Sequence, residues 1–113
     1  MFGLSGSHRY HLYRRPCDMR KSFDGLAGLV RDELGREPTS GEVFIFINRR
    51  RTHLKLLQWQ RGGFVLYYKR LEEGTFAIPE VDGSTPVVSW PQLVLMIEGI
   101  RVERSVQMRR YER

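Results

Sequence analysis

The sequence has one cysteine, no long apolar run, and no lysine or arginine between residues 72 and 99. Because Cys17 has no second cysteine to pair with, an internal disulfide is excluded, which is typical of a cytoplasmic protein. The longest apolar runs, Val43–Ile47 and Leu93–Ile97, are five residues each, whereas a membrane span requires about 20. The first seven residues lack the apolar core of a secretory signal. We therefore expect a cytoplasmic protein with no membrane partner.

Charge is distributed unevenly along the 113 residues. Residues 1–71 hold 14 basic and 6 acidic side chains, residues 72–99 hold five acids, and residues 100–113 hold five arginines and two glutamates. The net charge is +6. A basic surface of this kind attracts polyanions such as nucleic acids. A solvated surface without a partner fits the same pattern, so charge alone leaves both interpretations open.

The length and the apolar share of 41% favour one folded domain, which we place at residues 1–99. Residues 100–113 are basic and lack a clear apolar pattern, so we predict that they form a mobile C-terminal tail.

Two helices are predicted from apolar periodicity and capping residues. Apolar side chains recur at helical spacing over residues 19–34, with Asp18 as the predicted N-cap and Gly35 as the stop. A second helix is predicted after Ser89, which can cap it, and it should end at Gly99.

Three strand-like segments separated by two turn signals predict an antiparallel meander. The segments are Val43–Ile47, His53–Gln60 and Phe64–Leu71, and the turns are residues 48–52 and 61–63. Arg9–Tyr13 is predicted as an N-terminal strand, and Thr75–Pro79 as a further short strand. The predicted fold class is therefore α+β, with an antiparallel sheet that contains the meander and the N-terminal strand and two helices packed mainly on one face.

Arginines cluster at the first turn of the meander. Successive turns fall at opposite ends of a sheet, and the third strand returns toward the first turn. We therefore predict a nucleic-acid-binding cluster with two possible neighbours in the loop before the first helix. The cluster is Arg49, Arg50, Arg51, Lys69 and Arg70, and the neighbours are Arg20 and Lys21. Their expected role is contact with DNA phosphates, which positions the duplex without reading its sequence.

Aromatic residues are interleaved with basic ones in the meander. Alternate residues of a strand share a face, so Lys55 lies with Trp59, whereas Tyr67 and Tyr68 lie on opposite faces. Such an array can stack bases, or it can form core with basic side chains lying over it. We expect Phe44, Phe46 and Trp59 to be core and at most one of the two tyrosines to be accessible.

The sequence contains no pattern typical of an enzyme. The 13 acidic residues lie mostly at predicted caps, turns and helix surfaces, and none is on Val43–Ile47, where a rigid metal-binding acid is expected. His8, His11 and Cys17 lack a fourth ligand for zinc. There is neither a nucleophile elbow nor a phosphate-binding loop. We predict no catalytic residues, no metal, no cofactor and no small-molecule substrate.

Two passages carry a resemblance to a known family. One is Pro16-Cys17-Asp18-Met19-Arg20-Lys21-Ser22-Phe23-Asp24-Gly25-Leu26. The other runs from Phe44 to Leu71 and includes Lys55-Leu56-Leu57, Trp59, Gly62-Gly63-Phe64 and Tyr68-Lys69-Arg70-Leu71. Gly74, Phe76 and Pro79 follow. Together they resemble the small accessory protein, called TnpB or Orf2-like, of the bacterial insertion-sequence family numbered sixty-six. Thr52 and Gln60 stand where acids are frequent in that family, which makes both turns more basic.

The resemblance implies a role in transposition beside a separate, larger transposase that carries the strand-transfer chemistry. We expect a non-enzymatic accessory protein that contacts DNA through its basic face and assists the transposase. The alternative is a protein-interaction module that docks the transposase without binding nucleic acid. A third interpretation, an RNA-binding module, predicts a preference for single strands.

Overall fold

The computed structural model describes residues 4–79 and 87–99. Its elements are β1 (Tyr10–Leu12), α1 (Phe23–Asp32), β2 (Val43–Ile47), β3 (His53–Gln60), β4 (Gly63–Arg70), β5 (Val87–Val88) and α2 (Trp90–Glu98). The five strands form one sheet in the order β4-β3-β2-β1-β5, which confirms the predicted α+β class. No helix in the described ranges is long and apolar enough to cross a membrane. The predicted mobile tail, residues 100–113, lies outside the described residues.

The antiparallel meander is confirmed. β2 pairs with β3 through Ile47 and Leu54, and β3 pairs with β4 along its whole length, from His53 opposite Arg70 to Gln60 opposite Gly63. The turn between β3 and β4 is therefore only two residues long. Both of its residues have positive φ, which is the backbone of a type I′ hairpin turn.

The N-terminal strand pairs differently from the prediction. β1 is parallel to β2, with Tyr10 opposite Val43, so the sheet is mixed and the purely antiparallel prediction is wrong. The reason is the helix between them, because a strand–helix–strand connection returns the chain in the same direction. The two-residue β5, which the sequence pattern does not indicate, covers the outer edge of β1. Thr75–Pro79 forms only an isolated bridge at Thr75.

The two helices cover opposite faces of the sheet, so the prediction that they share one face is wrong. Phe44 and Phe46 of β2 pack with Leu26, Ala27 and Val30 of α1. Val43, Ile45 and Ile47 pack on the other side with Leu93, Met96 and Ile97 of α2. The physical reason is that β2 is apolar at every position, and both of its faces therefore need cover.

The helix boundaries depend on local hydrogen bonds. α1 begins at Phe23, later than predicted, because the Asp18 carboxylate accepts from the backbone N–H of Arg20 and forms a separate turn. Ser22 occupies the N-cap position without a side-chain cap. The predicted cap of α2 is confirmed, since Ser89 Oγ accepts from Gln92 N at 3.2 Å and Gln92 Oε1 accepts from Ser89 N at 2.8 Å.

Candidate nucleic-acid interface

One end of the sheet collects the end of β2, the start of β3 and the end of β4. Residues 13–17, which follow β1, continue alongside β2 at this end. The backbone N–H of Tyr13 donates to Ile45 O, and that of Cys17 donates to Ile47 O, both at 2.9 Å. The chain after β1 therefore runs next to the turn formed by residues 48–52.

Five exposed arginines from these two segments form what we call the basic end. They are Arg14, Arg15, Arg49, Arg50 and Arg51. All except Arg50 line one depression of about 250 Å³. The structure thus joins the predicted turn arginines to two arginines that the sequence reasoning did not select. The strand–helix–strand order was the signal for them, because parallel pairing places the residues after β1 beside those after β2.

Most of the positive charge at the basic end has no counter-charge in the described part of the chain. The side chains of Arg14 and the three turn arginines form no hydrogen bond or ion pair with residues 4–79 and 87–99. Arg15 lies 3.7 Å from Glu33, but both side chains are well exposed, and such a pair contributes little. These guanidinium groups are therefore available for an external anion.

Asn48 organises the turn that carries three of these arginines. Its Oδ1 accepts from the backbone N–H groups of Thr52 at 2.9 Å and His53 at 3.0 Å. Its backbone carbonyl accepts from Arg51 N at 3.0 Å. The Asn48 side chain and carbonyl thus accept from three backbone N–H groups of the turn and of His53, while the arginine side chains stay exposed.

The backbone of Arg51 connects the same turn to the protein core. Its φ is +62°, in the left-handed region that favours glycine. Its carbonyl accepts a 2.7 Å hydrogen bond from the backbone N–H of Phe76, whose side chain is fully buried. Hydrogen bonds at Asn48 and at Arg51 therefore fix the turn backbone, and the arginines it carries are positioned before a ligand binds.

Lys69 and Arg70 lie at the same end of the sheet but already have protein partners. Lys69 Nζ donates to Ile97 O at 2.8 Å, at the C-terminal end of α2, where a positive charge is favourable. Arg70 donates to Glu72 Oε2 from Nε at 3.1 Å and from Nη2 at 2.8 Å. Both predicted residues are thus placed near the turn, with part of their hydrogen-bonding capacity used internally.

Arg20 and Lys21 lie in the loop between Cys17 and α1. Arg20 forms a two-pronged contact with Asp18, with Nη2 2.7 Å from Oδ2, and these hydrogen bonds lower the Asp18 pKa to about 2. The Arg20 charge is therefore matched locally. Lys21 is exposed, and its backbone carbonyl accepts from Lys55 Nζ at 2.7 Å.

At the opposite end of the sheet, one carboxylate offsets part of the positive charge. Glu42 accepts two 3.0 Å hydrogen bonds from Arg36 and lies 3.4 Å from the buried His11. The contact with Arg36, followed by that with His11, holds the pKa of Glu42 at about 2, despite an opposing effect of burial. Burial also lowers the pKa of His11. At this end Arg36 pairs with Glu42 and Arg9 lies 3.9 Å from the same carboxylate, whereas Arg61 is exposed and pairs with no carboxylate of the described residues.

Three further residues, His8, His11 and Cys17, have side chains of types that can bind a metal ion. Cys17 and His11 are buried, and His8 is half-buried. In the described ranges, no three His, Cys, Asp or Glu side chains are grouped so that they could hold a metal ion.

Comparison with known proteins supplies the family. The family model for "IS66 Orf2 like protein" matches residues 8–107. The chain belongs to this family. The protein described as "Uncharacterized protein y4jC" of Sinorhizobium fredii (strain NBRC 101917 / NGR234) is 32% identical over 108 residues, which are 93% of this chain and 92% of the relative. "Uncharacterized protein y4hO" of the same strain is 37% identical over 84 residues, 74% of this chain and 72% of the relative. No solved structure matches the chain.

The resemblance inferred from the sequence is thus confirmed, and it associates the chain with insertion sequences. In this IS66 Orf2-like protein, the two passages that carry the resemblance meet in space. Lys55 of the second passage donates from Nζ to Met19 O at 2.8 Å and to Lys21 O at 2.7 Å in the first. The loop before α1 is therefore attached to the sheet next to the basic end.

Proposed function

We propose that this IS66 Orf2-like protein is a non-enzymatic, cytoplasmic accessory protein of transposition that contacts DNA and assists a separate transposase. The convergence of two arginine-bearing segments at one end of the sheet is the observation that supports the contact with DNA. The family supports the connection with transposition.

The chemistry of the basic end suits a phosphate backbone. Guanidinium groups bind phosphates by paired, charge-assisted hydrogen bonds. Arg14 and the turn arginines do not pair with carboxylates of the described residues. Arginines on a hydrogen-bonded turn can meet successive phosphates without reading bases. Lys69, Arg70, Arg20 and Lys21 remain part of the proposed surface, with smaller expected contributions where an internal partner competes.

The proposal is tested by the salt dependence of binding to duplex DNA. If five phosphates are neutralised, log affinity should fall with log salt concentration with a slope of about −4.5. The triple variant Arg49→Ala/Arg50→Ala/Arg51→Ala should reduce the slope to about −1.8. Because these side chains are exposed, each change should alter the free energy of unfolding by less than about 0.5 kcal/mol.

The matched control is Arg61→Ala, which removes an exposed arginine from the turn at the opposite end of the sheet. It should leave the slope within about one unit of the wild-type value. Absence of duplex binding at low salt, or an equal effect of the control and the triple variant, would overturn the proposal.

The alternative, docking on the transposase without nucleic acid, is favoured by a different observation. In the described sheet β4 pairs only with β3, and on α2 the side chain of Leu95 is 66% exposed. Edge strands and apolar helix faces are common sites for protein partners. Association with the neighbouring transposase that survives nuclease treatment, in a protein that does not bind DNA, would favour this function.

A further inference from the structure

Tyr68 is an aromatic side chain on the sheet that the fold leaves open to solvent. It is 53% exposed, whereas Tyr67, on the other face, is half-buried against the α2 core. An exposed tyrosine within a basic region does not contribute to the apolar core in the way that Phe44 and Phe46 do. Tyrosine rings of this kind serve as stacking surfaces for unpaired bases in proteins that bind single strands.

The ring of Tyr68 is held from below by a buried cation. Lys55 Nζ lies 4.5 Å from the ring centroid, and Lys55 is only 5% exposed. Its ammonium is fixed by the carbonyls of Met19 and Lys21. A ring held in place in this way loses little conformational freedom when a flat ligand stacks on its outer face.

Polar groups surround the exposed ring. Tyr68 lines a depression of about 380 Å³ together with His53, Arg70 and Glu72. The imidazole of His53 is 6.0 Å from the Tyr68 ring at 42°. This volume is within the range of sites for small organic groups, about 300–1,000 Å³. Arginine can donate to guanine and glutamate can accept from cytosine, although Arg70 and Glu72 also pair with each other.

The depression is close to the basic end. His53 follows the turn directly, and only Thr52 lies between it and Arg51, so about 7 Å of chain separates the two residues. A nucleotide on Tyr68 would therefore have neighbouring phosphates within reach of the long arginine side chains.

We propose that Tyr68 stacks an unpaired nucleobase, so that the preferred substrate of this site is nucleic acid with at least one unstacked nucleotide. The inference deepens the proposed function and rests on it. The shared chemistry is the flat face of a base, which unpaired DNA and RNA both present, and the experiment includes both.

The test compares three probes at one salt concentration. They are a twenty-base-pair DNA duplex, the same duplex with one unpaired 2-aminopurine, and an RNA duplex with the same unpaired base. The wild-type protein should bind a probe with the unpaired base about tenfold more tightly than the paired duplex, and the 2-aminopurine emission should be quenched. Preference for the DNA or the RNA probe identifies the source of the base.

Variants at Tyr68 separate stacking from general affinity. Tyr68→Phe should keep the tenfold preference and the quenching, whereas Tyr68→Leu should lose both while binding paired DNA as the wild-type protein does. Phe64→Leu, at the far end of the same face of β4, is the matched control and should keep the preference. If Tyr68→Leu changes stability, the Tyr68→Phe result still decides, because loss of the preference in that variant would overturn the inference.

The outcomes distinguish this inference from the proposed function. Equal binding of paired and unpaired probes, or an unchanged preference in Tyr68→Leu, overturns the stacking role even if duplex binding still depends on the turn arginines. Duplex binding that does not change in Arg49→Ala/Arg50→Ala/Arg51→Ala overturns the proposed function instead.

Discussion

Lys55 illustrates how one residue connects the parts of the molecule. It is a buried cation whose described contacts are two backbone carbonyls and one aromatic ring, with no carboxylate among them. Buried charges are costly unless hydrogen bonds replace the lost water. The two carbonyls belong to the loop before α1, so the lysine both satisfies its own charge and fixes that loop on the sheet.

We predict that Lys55→Met lowers the free energy of unfolding by about 1–3 kcal/mol, because two partly buried hydrogen bonds to a charged donor are lost. The measurement is urea unfolding at neutral pH. Lys21→Met, which changes an exposed lysine in the same region, should stay within about 0.5 kcal/mol of the wild type. Equal stabilities of the two variants would contradict the account of Lys55.

Arg51 and Arg61 form a natural pair for separating binding from stability. Both have positive φ, at +62° and +46°, and they occupy turns at opposite ends of the sheet. A non-glycine residue in this region is strained by about 1 kcal/mol.

Arg51→Gly and Arg61→Gly should therefore each leave the protein as stable as the wild type or stabilise it by up to about 1 kcal/mol. Only Arg51→Gly should weaken duplex binding. Urea unfolding and DNA titration of both variants provide the measurement. A destabilised Arg51→Gly would mean that the arginine side chain supports the turn.

At the scale of elements, the sequence predicts most of the helices and strands, but it predicts less well which strands pair. The meander, both helices and the cap at Ser89 follow from turn signals, periodicity and capping residues, because these are local properties. The parallel pairing of β1 and the position of Arg14 and Arg15 depend on contacts across more than 30 residues. The order strand–helix–strand contains that information, but the aromatic strand at Tyr10–Leu12 does not itself specify a partner.

The same limit applies to the candidate site. The turn at Asn48–Thr52 is visible in the sequence because its arginines are contiguous. The internal partners of Lys69 and Arg20 are not, since Ile97 is far along the chain and Asp18 also fits a helix cap. Residue type predicts which side chains can bind an anion, whereas packing decides which of them are already occupied.

The two helices differ in their N-terminal caps, and their stability should differ accordingly. Ser89→Ala removes both the hydroxyl acceptor and the capping box of α2, and should lower the free energy of unfolding by about 1 kcal/mol. Ser22→Ala should have an effect below about 0.5 kcal/mol, because Ser22 forms no side-chain cap. Thermal or urea unfolding of the two variants checks this, and equal losses would contradict it.

At the scale of the whole molecule, the two ends of the sheet differ in electrostatics. The end that holds Arg61 also places Glu42 beside His11 and Arg36, whereas the basic end collects five exposed arginines. We therefore propose the basic end, rather than the opposite end, as the binding surface.

The shifted pKa values of His11 and Glu42 predict how stability depends on pH. The folded-state pKa of His11 is lowered by burial, so below about pH 6.5 the unfolded chain binds a proton that the folded protein does not. Stability should be full above that pH and fall as the pH decreases. Glu42, with a pKa of about 2, adds a second loss below about pH 4.5.

Urea unfolding at several pH values between 7.5 and 5 measures the contribution of His11. The wild-type protein should lose stability across this range, and His11→Phe should flatten the dependence, since the apolar ring keeps the packing against Phe44. A slope that is equal in the two proteins would contradict the assignment to His11.

The central claim is that arginines from two separate segments act as one surface for nucleic acid. The most direct test is the salt dependence of duplex DNA binding by Arg14→Ala/Arg15→Ala, compared with Arg49→Ala/Arg50→Ala. If the segments act together, each double variant should reduce the slope from about −4.5 to about −2.7. A wild-type slope in Arg14→Ala/Arg15→Ala, with a reduced slope in the turn variant, would show that the two segments do not share one ligand and would contradict the account.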